Sequence, residues 1–247
     1  MTATLVLGAR NVRIAARQVD GIITAVVLPV LILVLFVFLF GGAIATGGDY
    51  VTYVVPGVLL ICAGFTAASA AVAVTEDMSR GVIDRLRSLD VPAAAFLAAH
   101  VVTSLARNVL ATTVVVGVAV AVGFRPAAGP GEWGAALGLV LAYSVAVSSL
   151  AAAIGLLVRT PEAANGATFL FTFLPYPSSA FVPVETMPGW LRGFAESQPL
   201  TPVIESVRGF LLGQPVGDAW WQALAWCAAV TAVSVAASGW LFRLRTR

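Results

Sequence analysis

Residues 22–40 read IITAVVLPVLILVLFVFLF, an uncharged run interrupted only by Pro29. A bilayer core is about 30 Å thick and is crossed by a helix of roughly 20 mainly apolar residues. This run meets that length. Arg10, Arg13 and Arg17 precede it and Ala43-Ile44-Ala45 follows, as around a cleavable export signal. The apolar region of such a signal is only about 7–15 residues long, so the run is read as a retained span.

Five further stretches have the same character: about 51–74, within 93–122, about 133–158, about 162–182 and about 219–242. The chain of 247 residues is 60% hydrophobic and 11% charged, with a mean hydropathy of +0.96. Soluble domains are nearer about 45–50% apolar and about 25% charged. A soluble fold of this length has too little interior for so much apolar surface, and lipid must cover the rest. The expectation is an all-α integral membrane protein with six transmembrane helices in a single domain over 1–247.

Arginine placement orients the spans, because cytoplasmic loops are enriched in basic residues. Arg10, Arg13, Arg17, Arg80, Arg85, Arg87, Arg159, Arg243, Arg245 and Arg247 fall on one side, and Arg125, Arg192 and Arg208 on the other. Both termini are therefore expected in the cytoplasm and the protein in the plasma (inner) membrane. Trp220 and Trp221 open the last span and Trp240 closes it. They are separated by about 30 Å of helix, which suits an aromatic residue at each interface.

The composition also excludes chemistry. All fourteen basic residues are arginine, and a P-loop requires a lysine to reach the terminal phosphates. Cys62 and Cys227 lie in apolar runs and are read as small buried hydrophobes. One histidine, His100, makes neither a metal cluster nor a catalytic triad. No catalytic residue, no metal site and no nucleic-acid partner is expected.

Four segments are more than simple spans. In 2–20, Leu5, Ala9, Val12, Ala16 and Val19 recur at helical spacing opposite the three arginines. That pattern fits an amphipathic helix lying in the membrane plane, apolar face down. The 75–92 loop, TEDMSRGVIDRLRSLDVP, places Met78, Val82, Leu86 and Leu89 on one helix face. Glu76–Arg80 and Arg80–Asp84 are i,i+4 neighbours on the other. Either a soluble partner or the chain's own helices must cover the apolar stripe. Within 93–122, about 45 Å as helix, Arg107 and Asn108 are placed near the cytoplasmic boundary with Arg107 snorkelling.

In the fourth segment, 175–218, seven prolines divide the chain. Two short helices fit, about 188–195 and 202–212, the second with Thr201 as N-cap and Gly213 at its stop. Glu205 and Arg208 form an i,i+3 pair there, and Trp190 and Phe210 suit the interface. Neither helix is long enough to cross, so 183–218 is read as a re-entrant extracellular segment with Gln198 remaining outside. In the fifth span Asn165, Thr168, Thr172 and Ser179 share a face, with Phe169 taken as lipid-facing; in the second, Cys62, Thr66 and Ser69 do. Hydroxylated faces serve helix packing or line a pathway.

The segments EDMSRGVIDRLRSLDVP and SSAFVPVETMPGWLRGFAESQPLTPVIESVRGFLLG closely resemble permeases of type-2 ATP-binding-cassette (ABC) exporters, the daunorubicin-resistance-like group. The resemblance extends over the chain in span count, loop order and length. It implies a dimer, each protomer binding a separately encoded ATPase subunit that holds ATP and Mg, with no cofactor in this chain. It makes 75–92 the coupling helix, with Glu76, Asp77, Arg80, Asp84, Arg85 and Arg87 as ATPase contacts. The N-terminal amphipathic helix becomes the connecting helix. The second and fifth spans border the translocation path, with Thr66, Ser69, Asn165, Thr168, Thr172 and Ser179 as lining residues. Trp190, Glu205 and Arg208 then belong to the extracellular re-entrant helices. Pro175-Tyr176-Pro177 departs from a smooth end to the fifth span. The function implied is ATP-driven export of a hydrophobic or amphipathic solute such as a drug, lipid or glycoconjugate. The alternative is an ion-coupled secondary multidrug transporter, against which stands the lack of a row of carboxylates within the spans.

Overall fold

The computed structural model describes residues 19–44, 48–80 and 93–245. The expected amphipathic helix up to residue 18 lies outside the described residues, as do Asp84, Arg85 and Arg87. Among the described residues the regular structure is helical. Helix α1 spans Val19–Leu35 and runs into a π-helical turn, Phe36–Phe40. Helix α2 is Tyr50–Ser79, α3 Ala93–Val122, α4 Pro130–Leu157 and α5 Pro161–Phe173. After a 3₁₀ turn at Val184–Thr186 come α6, Gly189–Ser197, α7, Leu200–Leu212, and α8, Ala219–Arg245.

Five of these are long and apolar enough to cross a membrane: α1 with its π turn, α2, α3, α4 and α8. The expected fifth span behaves differently. Its α-helix stops at Phe173, and 174–182 continues as turns and a bend. The cause is local: Pro175 and Pro177 have no N–H to give to carbonyls one turn back. At the other end the helix is well started, because Thr160 Oγ1 accepts from the Ala163 N–H at 3.2 Å and Pro161 takes the first position.

Helices α2 and α4 form the centre of the bundle. Of their most apolar stretches 72% and 61% is buried, against 17% for α1 and α8 and 28% for α3. The two approach closely because Gly155 has no side chain; a Cβ there would lie 2.6 Å from the Ala71 carbonyl oxygen. Thr75 Oγ1 bonds the Gly155 carbonyl across the same crossing at 3.0 Å. Small residues and hydroxyls are the usual means of joining helices in lipid, which offers no hydrophobic drive between them. Helix α3 is held to α4 by two buried polar pairs, Asn108 Nδ2 to Ser144 Oγ at 2.6 Å and Ser104 to Ser148 at 2.8 Å. Outward, Leu31, Phe38, Leu39, Val233 and Val235 are all more than half exposed. An apolar surface this extensive belongs in lipid rather than water.

Two expected boundaries are corrected. The 75–92 segment does not begin as a separate loop helix, since Thr75–Ser79 are the last turn of α2. At 30 residues α2 is about 45 Å long and outruns a core of about 30 Å, so its charged end needs no break in the helix. Thr201 is not a cap, because α7 starts at Leu200 and the Thr201 hydroxyl instead donates back to the Ala195 carbonyl at 2.6 Å. The stop at Gly213 is as expected, with φ of +63° and the Gln214 N–H reaching the Gly209 carbonyl at 2.8 Å.

Candidate functional site

A cleft of about 1060 Å³ opens on one side of the bundle. Helix α1 contributes Gly21, Thr24 and Leu28, α2 Phe65, Ser69, Val72 and Glu76, and α3 Arg107. The opposite wall is α5, with Glu162, Asn165, Phe169 and Phe173, extended by Tyr176. The spacing 162, 165, 169, 173 and 176 is one face of a helix. Arg107 is half-buried, and its guanidinium lies beside Gly21 of α1, where an added Cβ would stand 3.8 Å from Nη2. The cleft is thus polar at Glu76, Glu162 and Arg107 and aromatic along Phe65, Phe169, Phe173 and Tyr176.

The aromatic wall continues beyond the cleft. Phe169 stacks on Phe173 with centroids 4.0 Å apart, Phe173 on Tyr176 at 5.1 Å, and Tyr176 on Phe181 at 5.3 Å. Phe181 meets Phe36 at 4.1 Å, and Phe36 meets Phe40 at 5.2 Å. Six rings make one series from the middle of α5 to the π turn after α1, with neighbouring centroids 4.0 to 5.3 Å apart.

The expected lining residues divide. Ser69 and Asn165 lie on the cleft wall, Asn165 exposed. Thr168 and Thr172 touch the cleft but are 0% and 4% exposed, and their hydroxyls donate to the carbonyls of Ala164 and Thr168. They face α2, where Gly64 packs beside Thr172. Thr66 does not line the cleft; it is buried, donating to the Cys62 and Ala63 carbonyls at 3.0 Å each. Ser179 is also buried away from it. Phe169, expected to face lipid, also lines the cleft and is 58% exposed. Consecutive helix positions point about 100° apart, so Phe169 stands out at the opening while Thr168 beside it is buried.

On the expected extracellular side, Arg208 does not pair with Glu205 in an ion pair. Its Nε and Nη2 donate to the Tyr53 carbonyl at 3.2 Å each, and Nη2 donates to the Ser179 carbonyl at 2.5 Å. The guanidinium also lies over the Tyr53 ring, 3.7 Å from its centroid. One side chain therefore ties α7 to α2 and to the 174–182 turn. Burial holds the guanidinium below its ordinary pKa, while Tyr53 and Glu205 push it back up; an arginine in this setting stays charged. Trp190 is 79% exposed on α6, and Arg192 and Glu196 pair beside it at 2.8 Å. Gln198 is buried, its Nε2 donating to the Pro177 carbonyl at 2.7 Å.

At the charged end of α2, Glu76 and Arg80 pair at 3.3 Å and are open to their surroundings. Asp77 turns the other way. Its Oδ2 lies 3.1 Å from His100 Nε2 on α3, a contact between residues 23 apart that no helical spacing in the sequence signals.

The ABC-2 type transporter family matches residues 2–212 of the chain. The daunorubicin resistance ABC transporter permease protein DrrB1 of Streptomyces coeruleorubidus is 30% identical over 195 residues, 78% of this chain and 69% of that protein. The probable doxorubicin resistance ABC transporter permease protein DrrC of Mycobacterium tuberculosis is 26% identical over 222 residues, 88% of this chain and 80% of its own length. The helices that wall the cleft, the tie at Arg208 and the charged end of α2 all fall inside the matched region, and the chain belongs to the ABC-2 type transporter family.

Proposed function

We propose that the chain is the permease subunit of an ATP-driven exporter and that the cleft between α1, α2 and α5 is one protomer's share of the translocation route. The observation that carries this is the family match over residues 2–212. A hydrophobic or amphipathic solute suits walls made of Phe65, Phe169 and Phe173 with charged groups at one end. The named relatives are resistance proteins for daunorubicin and doxorubicin, and a drug of that kind, a lipid or a glycoconjugate is the substrate class. Hydrolysis belongs to a separate ATPase subunit docked at the 75–92 segment, through Glu76, Arg80, Asp84, Arg85 and Arg87. A second copy of the chain closes the open side of the cleft, giving a complex of two permeases and two ATPases.

In this reading α5 and the 174–182 turn together make a sixth crossing, both termini are cytoplasmic in the plasma membrane, and α6 and α7 dip into the outer leaflet. Helices of 9 and 13 residues reach only about 14 and 20 Å, short of a core of about 30 Å. Support for the orientation comes from the ten-to-three arginine bias.

The test uses Asn165→Cys and Phe169→Cys in a background lacking Cys62 and Cys227, with the chain co-expressed with a separately encoded ABC ATPase subunit of the same organism. Both cysteines should react with a water-soluble maleimide at rates that change on adding ATP. Doxorubicin should accumulate in inverted vesicles only with ATP, and the permease purified alone should bind no nucleotide. Nucleotide-independent labelling at both positions, or saturable ATP binding to the isolated chain, refutes the reading.

A further inference from the structure

Asp77 and His100 sit on either side of the segment 81–92. Asp77 belongs to the last turn of α2, three residues before its C-cap Arg80. His100 is in the second turn of α3, which begins at Ala93. Their contact, Oδ2 to Nε2 at 3.1 Å, therefore fastens together the two ends of the charged segment.

The pair is built differently from its neighbours. The side chains of Asp77 and His100 are 19% and 6% exposed, whereas Arg80 and Glu76 are 71% and 35% exposed. Phe96 seals the imidazole edge-on, with centroids 4.8 Å apart. Beside it, Val74 and Phe96 pack with Ala152 and Leu156 of α4, and Leu241 and Phe242 of α8 close the cluster. A polar pair walled by apolar side chains holds its geometry tightly, because separating the partners leaves a desolvated group without a bond. His100 is the chain's single histidine, and its imidazole can offer a donor to the carboxylate at Nε2.

We propose that Asp77 and His100 are positioning residues for ATP-driven coupling: their buried contact staples the ends of the 81–92 segment so that displacement of that segment moves α2 and α3 as one body. Asp77 acts inward, and the exposed Arg80 beside it is left for the ATPase. This rests on the coupling role given to the segment above.

The experiment uses the permease–ATPase complex in lipid vesicles with the Asn165→Cys reporter. It reads two quantities: ATPase retained on the purified permease, and the ATP-dependent change in maleimide labelling rate. The unsubstituted complex is measured first; absence of ATPase retention or of any nucleotide response there refutes the coupling reading itself, independently of the staple. Asp77→Ala and His100→Ala should each retain the ATPase and lose the nucleotide response. The double variant should be no worse than either, as two residues acting through one contact require. His100→Gln, which keeps a donor, should restore most of the response. His100→Met, similar in size and without a donor, stands in if the alanine variants fail to insert, and should lose it. Loss of ATPase from Asp77→Ala but not from His100→Ala would make Asp77 a partner contact and overturn the proposal. So would a full response in His100→Met, or additive losses in the double variant.

Discussion

Arg208 ties three parts of the described fold together through one side chain. Its hydrogen bonds end on two backbone carbonyls in different elements, and a bond from a charged donor contributes about 1.5–3 kcal/mol. Arg208→Ala should therefore lower the stability of the detergent-solubilised protein by about 2 kcal/mol. Arg208→Lys should recover only part of this, because an ammonium lacks the planar fork that serves two acceptors. Thermal unfolding monitored by thiol exposure of Cys62, buried at 0%, checks both. Equal midpoints for Arg208→Ala and the parent would mean that the tie contributes nothing. Little of this was legible beforehand. The sequence spacing suggested Glu205 as the partner of Arg208, since residues three apart on a helix are neighbours. Tyr53 and Ser179 lie 155 and 29 positions away, and a backbone carbonyl carries no side-chain signature to search for.

Among the elements, the crossing of α2 over α4 depends on one missing side chain. Gly155→Ala would place a Cβ 2.6 Å from the Ala71 carbonyl and 2.9 Å from Val74 Cβ. Neither helix can yield freely, and overpacking of this kind costs about 1–3 kcal/mol. The variant should insert normally yet unfold earlier in a denaturation series, while Gly138→Ala, with nothing within 4 Å, should match or exceed the parent. If both behave alike, the close approach is not limiting. The spans themselves were readable, because a membrane sets helix length directly: α3 runs Ala93–Val122 as expected, and α4 and α8 begin and end within a few residues of expectation. The end of helix α2 was misjudged for a related reason. Glu76 and Asp77 were read as part of a separate loop helix, yet α2 carries them in its own last turn, because a helix keeps its own hydrogen bonds after leaving the bilayer. In the cleft, the polar face of α5 was legible from spacing, but its rotation was not. Only packing against α2 turns Thr168 inward and Phe169 toward the opening.

For the whole molecule the decisive question is which side of the membrane α6 and α7 occupy. Gln198 is the midpoint of this region, but its side chain is buried against Pro177. Ser197 is exposed and is the better reporter. Ser197→Cys, in a background without Cys62 and Cys227, should be labelled by a membrane-impermeant maleimide on intact cells. Labelling only after the membrane is opened would place α6 and α7 inside and reverse the orientation. The tie that holds these helices to the bundle has a further consequence. Its acceptors at positions 53 and 179 are main-chain oxygens, which every amino acid supplies, whereas its donor exists only at position 208. In a saturation scan the burden of the contact is accordingly lopsided: position 179 should accept other small residues that fit its buried site, position 53 should lose only what its ring adds, and position 208 should accept almost none.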